Sequence, residues 1–140
     1  MTAVKLSQEL PVPAQAVWSV IGGFNGLPDW HPAVEKSESK TEGGVKVRTL
    51  TLVGGGQIVE RLEHASEQER SYTYSILSGG PLPVADCTAT IRVRESGRGC
   101  NVEWSSDFTP SGVPENDATA AIRAVYEAGF ENLKKMFGAQ

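Results

Sequence analysis

From Pro114 to Phe137 the apolar residues recur with a helical period, and this stretch limits what the rest of the chain can be. At about 100° per residue, Ala118, Ile122, Val125, Tyr126, Gly129, Phe130, Leu133, Met136 and Phe137 fall on one arc. Arg123, Glu127, Glu131 and Lys134 fall opposite. The pattern predicts a one-sided amphipathic helix of about six turns. Glu115, Asn116 and Asp117 supply capping oxygens and negative charge at its start, Lys134 and Lys135 sit in its last turn, and Gly138 follows as a stop. Glu131 and Lys135 are spaced as an i,i+4 ion pair. Gly129 lies at the centre of the apolar arc, where glycine costs about 1 kcal/mol relative to alanine. Volume given up at the middle of a buried face needs a reason.

A helix with one apolar face needs a partner layer, and the remaining sequence supplies strands. Val4, Leu6, Gln8 and Leu10 alternate with Ala3, Lys5, Ser7 and Glu9, a first strand ended by Pro11 and Pro13. Pro13 can open a short helix, with Val17, Ile21 and Phe24 on one face and Trp18 beside them, broken by Gly22, Gly23, Asn25 and Gly26. Leu27 to Pro32 reads as a second helical turn or compact loop carrying aromatic bulk. Strands are expected at about 33–40, 46–53, 57–65, 70–78, 86–95 and 100–109, separated by turn chemistry such as Gly43-Gly44 and Gly54-Gly55-Gly56. Grouped strands followed by one long helix imply an α+β fold, a twisted antiparallel meander of seven strands wrapped around the final helix. At 140 residues the chain is expected to form a single domain over 1–140.

Alternation predicts which side chains face that helix. Ile58, Glu60, Leu62 and His64 share one face of the fourth strand, and Tyr72, Tyr74 and Ile76 one face of the fifth. Ala85, Cys87, Ala89, Ile91 and Val93 share one face of the sixth, and Val102, Trp104, Ser106 and Phe108 one face of the seventh. On the third strand Arg48, Leu50 and Leu52 compete with Val47, Thr49, Thr51 and Val53. Cys87 and Cys100 fall on neighbouring strands well out of register, on the order of 23 Å apart, so no disulfide is expected.

Charge and motifs exclude several functions. A formal net charge of −4 without a Lys/Arg cluster argues against a nucleic-acid surface. The N-terminus has no run apolar enough for a signal peptide and no stretch could span a membrane, so a cytoplasmic protein is expected. The glycine-rich loops Gly54-Gly55-Gly56 and Ser78-Gly79-Gly80-Pro81-Leu82-Pro83 lack both phosphate-binding patterns, and read either as plain hairpin turns or as mobile flaps. His31 and His64 are far apart and no Cys/His cluster exists, so no zinc or haem site and no cofactor is expected. Asp29 and His31 have no serine or cysteine placed as a nucleophile. Glu60, with Arg48 and His64 the weaker companions, is the candidate for a polar group inside the sheet; such charges need pairing or a partly wet cavity. Trp30 either closes the core under the short helices or packs at a cavity mouth.

Val17-Trp18-Ser19-Val20-Ile21-Gly22-Gly23-Phe24, followed by Asp29-Trp30-His31-Pro32-Ala33-Val34, resembles the N-terminal signature of the START-like, birch-pollen-allergen-like (SRPBCC) superfamily. Glu60-Arg61-Leu62-Glu63 and Tyr74-Ser75-Ile76-Leu77 before Gly79-Gly80 are similar to its central strands, and the nearest branch is the bacterial polyketide cyclase/dehydrase and lipid-transport group. The resemblance spans essentially the whole chain. It implies a helix-grip fold with a cavity between sheet and last helix for a hydrophobic small molecule. The cavity-facing residues it implies are Leu50 and Leu52 on the third strand, and Ile58 and Glu60 on the fourth. Tyr74 and Ile76 on the fifth strand, Leu82 after it, Cys87 and Ala89 on the sixth and Trp104 on the seventh join them. Val125, Tyr126 and Gly129 come from the helix. The chain is also similar to plant abscisic-acid receptors, in which two loops close over the ligand; Gly54, Gly55, Gly56 and Gly79, Gly80, Pro81 stand at those loop positions. It lacks the receptors' gate and latch runs, and a hormone-contacting lysine is replaced near Glu35, so hormone binding and phosphatase partnership are not implied.

The expected function is thus binding or transport of a lipid- or polyketide-like molecule, with no nucleic acid and no membrane insertion. One alternative is a polyketide cyclase or dehydratase in which Glu60, Arg48 or His64 moves protons. Another is a protein-interaction module without a ligand.

Overall fold

The computed structural model describes residues 1–138. Seven strands form one antiparallel sheet in the order β1-β7-β6-β5-β4-β3-β2. They are β1 (Thr2–Leu10), β2 (Val34–Glu42), β3 (Val45–Leu52), β4 (Gln57–Ser66), β5 (Ser71–Ser78), β6 (Val84–Ser96) and β7 (Gly99–Pro110). Every sequential pair from β2 onward is a hairpin, and the first strand closes beside the last. The curved sheet holds the long helix α2 (Glu115–Phe137) on its concave face, an α+β helix-grip fold. The helix α1 (Ala14–Ile21) follows β1, and the second expected helical turn is a 3₁₀ turn at Leu27–Asp29. No helix among the described residues is long and apolar enough to cross a membrane.

The ends of α2 differ from expectation in detail. Acidic side chains occupy its first turn, but no side chain caps it; Pro114 precedes it and the Pro114 carbonyl accepts from the N–H groups of Asp117 and Ala118. Glu115 instead accepts from Thr2 Oγ1 at 2.6 Å, tying the helix start to β1. At the other end Gly138 adopts φ 75°, as a glycine can without steric cost, and its N–H returns to the Lys134 carbonyl. Lys134, not Lys135, pairs with Glu131, at 3.3 Å.

Alternation holds along β5 and β7, where Tyr72 and Tyr74, and Val102, Trp104, Ser106 and Phe108, are buried as expected. On β3 the buried set is Arg48 and Leu50, which settles the ambiguity of that strand. Two of the sheet's four register shifts move an expected side chain to the other face. The register of β4 against β5 slips between Leu62 and His64, so His64 is exposed rather than interior. The register of β6 against β7 slips between Ala85 and Thr88, where Asp86 takes φ 52°; Val84 becomes interior and Ala85 exposed. Cys87 and Cys100 are both buried and free.

Candidate functional site

Between the sheet and α2 lies a pocket of about 110 Å³. Its sheet wall carries Leu50 and Leu52 from β3, Ile58 and Glu60 from β4, Tyr74 and Ile76 from β5, Cys87 and Ala89 from β6 and Trp104 from β7. Leu82 lines it from the β5–β6 loop, and Val125 and Tyr126 from α2. Of the residues the sequence points to, these are brought together; Gly129, Arg48, His64 and the loop residues Gly54, Gly55, Gly56, Gly79, Gly80 and Pro81 do not line the pocket. Leu27, His31, Ala33, Val34 and Ile122 also line it and were not foreseen. Ile122 had a signal, since it lies on the apolar arc of α2. The loop residues had none beyond their apolar or aromatic character.

Gly129 faces aromatic rings instead of the pocket. A Cβ added there would lie 2.9 Å from His31 Cδ2, 2.9 Å from Trp30 Cζ3 and 3.2 Å from Trp104 Cζ3. The glycine lets these rings approach the helix backbone. Ala33 N–H donates to His31 Nδ1 at 3.1 Å, so the proton resides on Nε2, which donates to the Val125 carbonyl at 2.7 Å. Asn132 Nδ2 donates to the Trp30 carbonyl at 2.8 Å. The segment after the 3₁₀ turn is thereby stapled to α2. Burial pushes the His31 imidazole below its ordinary value, against the pull of the Val125 carbonyl, and keeps it neutral.

The polar end of the pocket is built on β3 and β4. Arg48 and Glu60 sit directly opposite each other in the register of these strands. Arg48 Nε donates to Glu60 Oε1 at 2.8 Å, and Nη2 lies 2.6 Å from the same oxygen as an ion-pair contact. The Arg48 side chain is 0% exposed. Its Nη1 donates to the Phe24 carbonyl at 2.5 Å, and its guanidinium carbon lies 4.2 Å from the Phe24 ring centroid and 5.0 Å from that of Tyr74. Arg48 therefore stands behind the pocket wall, and Glu60 alone of the pair reaches the pocket. Burial pushes the Glu60 carboxyl above the usual carboxylate range while Arg48 pulls it back. Trp104 stacks on Tyr126 at 4.3 Å and donates from Nε1 to the Tyr74 hydroxyl at 3.1 Å. Burial pushes the Cys87 thiol up to about 12, so it remains a protonated, inert side chain.

The two glycine loops meet at the pocket's end. Gly56 packs on Pro81, whose Cδ would be 3.3 Å from an added Cβ. Gly80, at φ 55°, presses on the Gln57 carbonyl oxygen so closely that any Cβ would collide with it. Gly80→Ala is expected to lose about 1–3 kcal/mol through the disfavoured backbone and this collision. Hydrogen exchange should quicken at residues 54–57 and 79–83 and stay unchanged on β7 and α2. Unchanged exchange at both loops would show that they do not hold each other.

Over residues 1–138 the chain matches the family model described as polyketide cyclase / dehydrase and lipid transport. A search of curated proteins gives no match. Among solved structures, the chain is similar to the XoxI protein of Bacillus cereus, at 38% identity and a TM-score of 0.90, covering 99% of this chain and 97% of that one. It is equally similar to an uncharacterised protein of Bacillus thuringiensis, at 40% identity and 0.91, covering 97% and 98%. The Zhui aromatase/cyclase of Streptomyces sp. R1128, at 20% identity, 0.72, and coverage of 96% and 95%, shares the fold.

Proposed function

Because the chain belongs to the polyketide cyclase/dehydrase and lipid transport family, we propose that it binds a hydrophobic small molecule in the pocket between the sheet and α2. The observation that carries this is the pocket wall, which is almost wholly apolar and interrupted by few polar groups, the usual composition of a small-molecule site. Its size sets a limit. Sites for drug-sized ligands run to roughly 300–1,000 Å³, and an apolar cavity of about 150 Å³ takes benzene. At about 110 Å³ the pocket is smaller than that cavity and on the order of a single ring at most. A longer lipid- or polyketide-like ligand requires the Gly54–Gly56 and Gly79–Pro81 loops to part.

Binding is favoured over catalysis by the state of the ionisable groups. His31 is locked neutral between Ala33 and Val125, Cys87 is a protonated thiol, His64 is exposed, and Glu60 is held by Arg48. Ala89 lines the pocket and is 3% exposed, so Ala89→Leu fills space that a ligand would use. A hydrophobic fluorescent probe should bind the wild type saturably and the folded Ala89→Leu protein at least tenfold more weakly. Native mass spectrometry of protein from its own host would name the ligand. Equal probe affinity in both proteins would place binding elsewhere and refute the proposal.

A further inference from the structure

The chemistry of the pocket restricts what it can hold. Both contacts from Arg48 converge on Glu60 Oε1. Glu60 Oε2 takes no hydrogen bond from the described residues and is not among the polar atoms sealed from solvent, while Glu60 itself lines the pocket. It is an acceptor without a donor. The Tyr74 hydroxyl accepts from Trp104 Nε1, which leaves its own proton to give. The pocket therefore offers the Glu60 acceptor and the Tyr74 donor, with the Tyr126 hydroxyl and the Cys87 thiol as further polar groups on a mostly apolar wall. The Arg48–Glu60 pair is neutral as a unit, and the guanidinium is walled off by Phe24 and Tyr74. A ligand carboxylate would meet Glu60 without reaching Arg48. A ligand cation would bring a second positive charge near Arg48. The carboxylate would be buried without compensation, which costs several kcal/mol, and the cation would find only a carboxylate that Arg48 already neutralises. Trp104 stacked on Tyr126 adds a flat aromatic surface, 19° from parallel, suited to a planar ring.

We propose that the pocket selects a neutral, single-ring aromatic alcohol of the phenol class, whose hydroxyl donates to Glu60 Oε2 and accepts from Tyr74, and that it rejects carboxylates. The proposal rests on the binding function above and names the ligand class for the same site. A matched set of one-ring probes tests it: toluene, phenol and benzoate, titrated into the full chain at neutral pH and followed by chemical-shift changes of the Trp104 indole N–H. Phenol should bind at least tenfold more tightly than toluene, and benzoate should not saturate. In Tyr74→Phe, phenol should weaken at least threefold while toluene is unchanged. That variant keeps the ring and the Arg48–Glu60 pair, but it leaves the Trp104 indole N–H without its acceptor, so its melting temperature and the toluene affinity are measured first to show that the pocket is intact. Benzoate binding as tightly as phenol would overturn the selection, as would toluene matching phenol, with the pocket still a binding site in both cases. Failure of all three probes to bind would overturn the binding function itself.

Discussion

Arg48→Met is expected to destabilise the fold by about 3–5 kcal/mol, the usual cost of removing one member of a buried ion pair. Against a total stability of about 5–15 kcal/mol, this is a large fraction, and the melting temperature should drop by about 10 °C or more. The loss has three parts. Glu60, 4% exposed, becomes a buried charge without its counter-ion. The Phe24 carbonyl loses its donor, which unties the loop after α1 from β3. The rings of Phe24 and Tyr74 lose the cation they surround. The double variant Arg48→Met/Glu60→Met should be markedly more stable than Arg48→Met alone, since two apolar side chains replace the pair without leaving a charge. A simple cavity or packing defect would not depend on pH, but this one should. Burial raises the Glu60 carboxyl above its ordinary 4.5 even with Arg48 present, and without Arg48 it rises further. The folded state then binds more protons than the unfolded state above that value, so stability falls as pH rises. Arg48→Met should accordingly be closest to wild type near pH 5 and worst near pH 8. A loss under about 1 kcal/mol, or single effects that simply add in the double variant, would show that the pair is not coupled as its geometry implies.

How far the sequence could foretell this site varied residue by residue. The faces of β5 and β7 follow plain alternation, so Tyr74 and Trp104 were placed toward the helix without further information. Arg48 could not be assigned from β3 alone, because two apolar-containing faces competed; its partner across the strand, Glu60, decides the matter through the direct register of β3 and β4. His64 was misassigned because one extra residue in β4 inverts every side chain beyond it. No glycine marks that bulge, and at the other one the residue with positive φ is Asp86, so neither left a readable signature. His31 was visible only as a histidine beside a proline. Its importance lies in two hydrogen bonds, one to a residue 94 positions away, that no local pattern encodes. Gly129 illustrates the limit most clearly. The helical wheel reveals that volume is missing from the buried face, but not which neighbour takes it.

That neighbour makes Gly129→Leu the second large prediction, an expected loss of about 3 kcal/mol. Alanine at this position gains about 1 kcal/mol of helix propensity, yet its Cβ would sit 2.9 Å from two buried rings. Overpacking costs about 1–3 kcal/mol, so Gly129→Ala should be neutral to moderately destabilising. Leucine cannot fit without moving the His31 ring, and a buried imidazole separated from the Val125 carbonyl costs about 1–3 kcal/mol more. Because Val125 lies one turn before Gly129 on α2, the carbonyl that accepts from His31 and the space its ring needs belong to one device. Acid should disturb the other contact of this ring in the wild type, because Nδ1, which takes the proton, accepts from the Ala33 N–H. The unfolded chain protonates His31 near its ordinary 6.5, whereas the folded value is lower because burial disfavours the cation. The unfolded state thus binds more protons in that window, and stability held above about pH 6.5 is lost as pH falls toward the folded value. Replacing His31 by alanine should remove this slope and also relieve part of the clash, so that His31→Ala/Gly129→Ala is more stable than the sum of the single effects predicts. Since Gly129 does not line the pocket, probe binding by folded Gly129→Ala should match wild type within about threefold, a difference of less than 1 kcal/mol. Stabilisation by leucine with binding lost would return the glycine to the pocket wall and contradict its packing against His31, Trp30 and Trp104.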